Sequence, residues 1–287
     1  MEDKKVQEFH NAYINADKEG LEKLWEKGTP KSLIKFYSGK YEPNGSNYLL
    51  DSISNNTLWL SSPRYFNDPF DCIINVNYNA EAENISRKFL SERFGDDVAK
   101  CLLSYGTSKE VLENIANYLK AENEGKHLYL EKSIFVACLS EKDNLKSSRM
   151  WAHYANNHSG VCVEYDFDAV KNTSPFGCIP VRYTDDYRYL LNTNNISEDV
   201  ANYMQFFTKA KEWEYEAEWR VAEQNKHLNM MGYNVPISSP IAVYLGCKVS
   251  KKLKKDVVTT CKNIPVYQMG MIPGTFQFDY KLCTRRI

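Results

Sequence analysis

Long apolar runs are missing from this chain. The longest strongly apolar stretch is "IFVACL" at 134–139, far short of the ~20 residues that a membrane-spanning helix needs. The opening "MEDKKVQEFH" has no apolar core, so a secretory signal peptide is not expected there. Eight cysteines are present but none forms a C-x-x-C pair. With no paired His or Cys spacing, a metal centre is not expected either. The expectation is a reduced, cytoplasmic protein with no membrane attachment. Neither sign of charge dominates, with 36 Lys+Arg against 37 Asp+Glu. That balance argues against a dedicated domain held to DNA by phosphate contacts, without excluding a nucleotide substrate. The motifs G-x-G-x-x-G, G-x-x-x-x-G-K-[ST] and G-x-S-x-G are absent, so the usual dinucleotide, P-loop and hydrolase signatures give no lead.

What is present is enough for a large core. The 287 residues are 43% hydrophobic and include 20 Tyr, a length that suits one α+β domain with an insertion. Residues 1–30 read as an N-terminal helical segment, with Phe9, Tyr13, Leu21 and Leu24 on one face and a break near Gly20. Residues 31–287 read as a single domain. Apolar, β-branched runs at 32–38, 57–61, 133–140, 160–166, 179–185, 240–246 and 264–269 read as strands, and 47–54, 147–157 and 197–211 as helices. A helical insertion is expected at about 80–130, where Phe89, Leu90, Phe94, Val98 and Leu102 form one stripe and Val111, Leu112, Ile115, Tyr118 and Leu119 another. Strands separated by unequal connections point to α+β rather than a regular βαβ series. The one basic run of note is "KVSKKLKKD" at 248–256, a solvated face or a phosphate contact.

The segment "WEYEAEWRV" at 213–221 alternates large or apolar residues with Glu214, Glu216, Glu218 and Arg220. Period-two alternation predicts a strand with the three carboxylates on one face, ~6.5–7 Å apart, while the helix formers of "KAKEWEYEAE" leave a helix as the alternative. Such a row repels itself unless cations or donors sit opposite. One account is a solvated outer face; the other is an acidic wall of a cleft.

Three segments, "SSPRYFNDPFD", "MWAHYANNHSG" and "KAKEWEYEAEWR", together resemble a bacterial group known only as domain-of-unknown-function family 2971. A second, more distant likeness carries chemistry. A strand with a basic residue, a strand ending in Ser and a late Glu-x-Glu follow the order of mono-ADP-ribosyltransferases of the Arg–Ser–Glu type. That resemblance implies a split, mixed β-sheet core with flanking helices, and NAD as substrate. It places Cys138-Leu139-Ser140 at the Ser-Thr-Ser motif, with Ser140 near the nicotinamide ribose. Glu218 would be the catalytic glutamate, and Glu216 the residue that selects or activates the acceptor. At the first-strand position, where such enzymes carry Arg, this sequence offers Lys35 and Tyr37. A lysine is a point charge and cannot clamp phosphate bidentately as Arg does.

The implied reaction is cleavage of the nicotinamide–ribose bond and transfer of ADP-ribose to a protein or nucleic-acid acceptor, in bacterial defence or conflict. A fixed carboxylate near the ribose would stabilise the cation-like transition state, an effect of ~3–4 kcal/mol or about 10²–10³ in rate. Trp151, His153 and Tyr154 in "MWAHYA" are candidates for contacting NAD, although helical spacing gives Trp151 and Tyr154 a core role as well. Alternatives on the same scaffold are an NAD glycohydrolase and a non-catalytic module that binds a nucleotide or a protein.

Overall fold

The computed structural model describes residues 3–15, 17–72, 78–105, 109–175, 177–185, 204–226 and 230–283. Two helices open the chain, α1 (Asp3–Ile14) and α2 (Lys18–Gly28). The break falls before Gly20, where the Asp17 carboxylate accepts from the Gly20 N–H and starts α2. Strand β1 (Ser32–Tyr37), α3 (Tyr48–Asn55) and β2 (Thr57–Ser61) follow at the positions that their apolar patterns predict. Asn47 caps α3 by accepting from the Leu49 and Leu50 N–H groups. Helices α4 (Tyr78–Phe94), α5 (Asp96–Tyr105) and α6 (Lys109–Ser133) form the helical insertion.

Next come β3 (Ile134–Glu141), α7 (Ser148–Tyr154), β4 (Val161–Asp166) and α8 (Phe167–Lys171). After them run the short β5 (Ile179–Pro180), β6 (Arg182–Tyr183) and β7 (Thr208–Lys209), then β8 (Glu218–Gln224) and β9 (Gly232–Pro236). The last described elements are β10 (Ala242–Leu245), α9 (Lys251–Thr260), β11 (Val266–Met271) and β12 (Phe278–Leu282).

Ten strands form one open, mostly antiparallel sheet in the order β12-β11-β10-β4-β1-β3-β2-β9, with β8 on β3 and β5 on β8. The β10–β11 pair, joined by α9, is parallel. Strands β6 and β7 form a separate parallel ribbon. The fold is therefore α+β, with helices on both faces of the sheet. Alternation sorts the faces. Leu33, Val163 and Val243 share a cluster with Leu253 and Val257 of α9, whereas Ile34, Cys162 and Tyr244 share another with Trp151 of α7. The N-terminal helices belong to the first cluster, since Phe9 packs edge-on against Trp219 at 5.5 Å.

Strand β3 is the pivot of the sheet. Strand β8 pairs along it from Ile134↔Gln224 to Ser140↔Glu218. Strand β1 meets β3 only at Leu33↔Glu141 and Ile34↔Ser140, and β2 only at Ser61↔Val136. Between those contacts the sheet opens. The Lys35 ammonium reaches into the gap and donates to the Cys138 carbonyl at 3.1 Å.

Several expectations are corrected. Residues 213–221 are not one strand: Lys211–Glu216 form a 3-10 turn, and Ala217 adopts a left-handed conformation (φ 43°) before β8 begins. Within the span 197–211, residues 197–203 lie outside the described set; Gln205–Phe207 form a 3-10 turn and Thr208–Lys209 a strand, not a helix. The insertion is helical, but Phe89, Phe94, Val98, Leu102, Val111 and Tyr118 are exposed rather than packed inward. Among the described residues, no helix is long and apolar enough to cross a membrane.

Candidate functional site

The gap between β1 and β2 opens into a cleft of about 310 Å³. Its floor is β3, through Val136, Cys138 and Ser140. One wall is β1 with α7, through Lys35, Met150, His153 and Tyr154. The other comes from the loop after β2, through Phe66, Asn67 and Asp71, and from Lys209, Glu216 and Glu218. The loop takes its shape from the Asp68 side chain, which accepts from the Phe70 N–H at 2.9 Å.

The acids are inside. Glu216 is 2% exposed and Glu218 5%, whereas Glu214 is exposed to solvent. The kink at Ala217 causes the difference. It ends the 3-10 turn and turns Glu216 toward α7 while Glu218 enters β8 beside Arg220. The solvated-face account is thereby overturned for Glu216 and Glu218, and it holds for Glu214 alone. Trp219, on the other face of β8, packs edge-on between Phe9 and Phe167. Trp219 anchors the strand and Glu216 and Glu218 border the cleft, whereas Trp213 and Tyr215 stay half-buried in the preceding 3-10 turn.

Burying carboxylates requires partners, because an uncompensated buried charge is strongly unfavourable. Arg220, fully buried, forks onto Asp71 at 2.8 and 2.7 Å and onto Glu218 at 3.1 and 3.0 Å. It donates also to the Phe206 carbonyl at 2.8 Å and to the Cys72 sulfur at 3.3 Å. The Lys209 ammonium stands among all three acids, 2.6 Å from Glu216 and 3.5 Å from both Asp71 and Glu218. Tyr154 donates to Glu216 Oε1 at 2.5 Å, and the Tyr183 hydroxyl accepts from the Glu218 N–H at 2.8 Å.

This arrangement makes the two glutamates unequal. Burial pushes the Glu218 carboxyl up, but the Arg220 guanidinium and the Lys209 ammonium outweigh it and hold the group at about 2. Glu216 moves the other way: burial and the neighbouring Glu218 charge raise it, against Lys209 and Tyr154. Burial alone would lower Lys209, yet the charge of Glu218, helped by Asp71 and Glu216, carries it above its ordinary value. Lys209 is thus a firm cation shared by three acids, and Glu216 is the acid served least. One ionised carboxylate beside one that holds its proton more tightly is an arrangement that can divide electrostatic and proton-transfer roles.

Of the residues the sequence nominated, Lys35, Ser140, His153, Tyr154, Glu216 and Glu218 line this one cleft. Tyr37 and Trp151 do not. Tyr37 shares a face of β1 with Lys35, whose ammonium is 5.9 Å from its ring centre, but its hydroxyl turns away to that of Tyr165 at 3.4 Å. Trp151 is buried beside Phe36 and donates to the Leu145 carbonyl at 2.7 Å, so it supports the wall from behind. Lys35 spends its ammonium on the Cys138 carbonyl, and burial lowers its pKa.

Sequence reasoning missed Lys209 as a member. A signal existed, since "KAKEWEYEAEWR" begins with Lys209 and buried acids need a cation nearby.

A family model described as "Protein of unknown function (DUF2971)" matches residues 150–221. The matched span contains His153, Tyr154, Lys209, Glu216, Glu218 and Arg220, and it holds two of the three segments that carried the resemblance. No curated protein and no solved structure matches the chain.

Proposed function

We propose that the cleft binds the nicotinamide–ribose end of NAD and cleaves the glycosidic bond, passing ADP-ribose to a macromolecular acceptor. The bond from ribose C1′ to the pyridinium nitrogen breaks, and nicotinamide leaves with the electron pair as a neutral molecule. Positive charge builds on the ribose, where a fixed carboxylate is most effective. The acceptor's oxygen or nitrogen then bonds to C1′ and gives up a proton, for which Glu216 is the base within reach. The observation that carries this reading is the convergence of Ser140, Glu216 and Glu218 on one cleft, with one glutamate held ionised and the other pushed toward its protonated form.

A second reading has its own observation. Both Glu218 oxygens are already held by Arg220, as in a structural ion-pair cluster, and a non-catalytic NAD-binding module would have no use for a free carboxylate.

The test is nicotinamide release from NAD by the purified chain, with labelled NAD followed into macromolecules of a cell lysate. Glu218→Gln should lower release by about 10²–10³, and Glu216→Gln should suppress labelling more than release. NAD binding by calorimetry with neither release nor labelling would favour the module. No binding at all would refute both.

A further inference from the structure

Outside the cleft, a dense run of positive charge surrounds α9. Five lysines, Lys248, Lys251, Lys252, Lys254 and Lys255, fall within eight residues of a chain whose net charge is −1. The fold decides where they point. Ser250 caps the helix by accepting from the Leu253 N–H at 3.1 Å, and Leu253 and Val257 are buried against the sheet. That leaves Lys251, Lys252 and Lys255 on the solvent side, with Lys248 exposed just before the cap.

The cluster is not neutralised from within. Lys254 donates to Gln268 at 3.1 Å, and Lys252 sits 3.9 Å over the Tyr41 ring. The one acid of the run, Asp256, accepts from the Tyr41 hydroxyl at 2.5 Å. Lys248, Lys251, Lys252 and Lys255 have no ion-pair partner among the described residues, unlike Lys109 and Lys120 of α6, which pair with Glu113 and Glu124. Lys251 and Lys255, four apart on one helix, repel each other. Lys251 and Lys252 also stand in the first turn, where the helix dipole disfavours cations and where no acid offsets them. Nothing inside the fold benefits from that placement; an external polyanion would.

An anionic membrane and a nucleic acid differ in what else they need. A helix that settles on a membrane exposes apolar side chains beside its basic ones. The apolar side of α9 is spent on the core, and no large hydrophobic residue is exposed between positions 242 and 270. A phosphodiester backbone needs only a row of cations with reach.

We propose that the solvent face of α9 is a nucleic-acid docking surface, with phosphates lying across Lys248, Lys251, Lys252 and Lys255. It stands on the sheet face opposite α7, by the alternation of Leu33, Val163 and Val243 with Ile34, Cys162 and Tyr244, so it does not depend on the NAD reading. The near-neutral total hides it, because the lysines are gathered while the compensating acids lie elsewhere.

The experiment is fluorescence anisotropy of a short labelled DNA duplex with the full chain across a salt series. Four phosphate contacts give a slope of about −3.6 for log affinity against log salt, and Lys251→Gln with Lys255→Gln should shallow it by about 1.8. The same two changes should leave thermal stability equal or higher, since they relieve repulsion. Lys109→Gln with Lys120→Gln, an equal change of charge on paired lysines, should leave binding unchanged. The proposal is overturned if the duplex does not bind at low salt, or if the α6 pair costs as much as the α9 pair. It is equally overturned if phosphatidylserine vesicles capture the chain through these lysines while the duplex does not.

Discussion

Removing Arg220 is the sharpest perturbation of the buried charge cluster. Its guanidinium is fully buried and serves Asp71 and Glu218, each about 5% exposed or less on the side chain. Arg220→Met keeps much of the volume and deletes the charge. Two carboxylates are then left in the interior with only Lys209, 3.5 Å from each. Breaking a buried pair by deleting one partner costs ~3–5 kcal/mol, a large share of the ~5–15 kcal/mol that holds a domain together. The loss should depend on pH in a sense opposite to the native chain. In the native chain Glu218 sits at about 2 against an ordinary 4.5. Its contribution, about 3 kcal/mol, is complete above 4.5 and disappears as pH falls toward 2. Glu216, pushed up instead, works in the opposite direction and in a different window: its contribution grows as pH falls toward 4.5, before the Glu218 decline begins. In the variant, acid relieves the fault by protonating the stranded carboxyls, so its deficit should shrink between pH 7 and pH 4.5. Asp71→Asn and Glu218→Gln added to Arg220→Met should recover most of the loss at pH 7, because no unpaired charge then remains. Urea unfolding followed by tryptophan fluorescence reads all of these. A deficit under about 1 kcal/mol, the range of exposed pairs, would refute the argument, as would a deficit that ignores pH.

Two further outcomes follow from the same elements. Ala217 holds a left-handed conformation that costs an L-residue with a Cβ, so Ala217→Gly should stabilise the fold by about 0.5–1 kcal/mol in the same unfolding assay; a loss would mean that the methyl group has a packing role. Tyr154→Phe removes the hydroxyl that donates to Glu216 and helps to lower its pKa, so the Glu216 titration, followed by carbon NMR of labelled glutamate, should move upward. An unchanged or lower value would contradict the hydrogen bond's part in setting it.

Much of this architecture was legible because period and turn chemistry act locally. The runs at 32–37, 57–61, 161–166 and 242–245 became strands where their apolar residues place them. Strands β9 and β12 were overlooked because both are edge strands without an apolar run; β9 begins at Gly232 and ends at Pro236. The segment 213–221 shows where local reasoning stops. Alternation was right for Trp219 and Val221, which are buried, and for Glu218 and Arg220, which share the opposite face. It failed before Ala217, because a single left-handed residue resets the direction of every side chain before it, and nothing in an alanine announces that conformation. Hydrophobic period likewise identified α4 and α5 as helices but not which stripe is covered, since Phe89, Phe94, Val98 and Leu102 face solvent. Helical spacing fixes a face; only a neighbouring element decides whether that face is buried.

The charge balance of the cleft constrains the chemistry proposed for it. With Asp71, Glu216 and Glu218 ionised against Lys209 and Arg220, the cluster keeps one negative charge; with Glu216 protonated it keeps none. The proton on Glu216 therefore sets whether the cleft attracts a developing cation. Lys35, with its ammonium on the Cys138 carbonyl at the opposite wall, adds a positive charge that burial weakens. Because Glu218 is fixed by Arg220 from one side and by the Tyr183 hydroxyl on its main-chain N–H from another, its charge needs no rearrangement when a transition state forms. A fixed charge of that kind acts at full strength at the moment of bond breaking, but its direct interaction is shared with Arg220. The variable charge is on Glu216, so in the proposed reaction activity should follow the Glu216 proton. It should rise with pH through a value above the ordinary glutamate range and not through that of Glu218. A pH–rate profile of nicotinamide release whose acid limb lay near 2 would assign control to Glu218 instead and remove Glu216 from the mechanism.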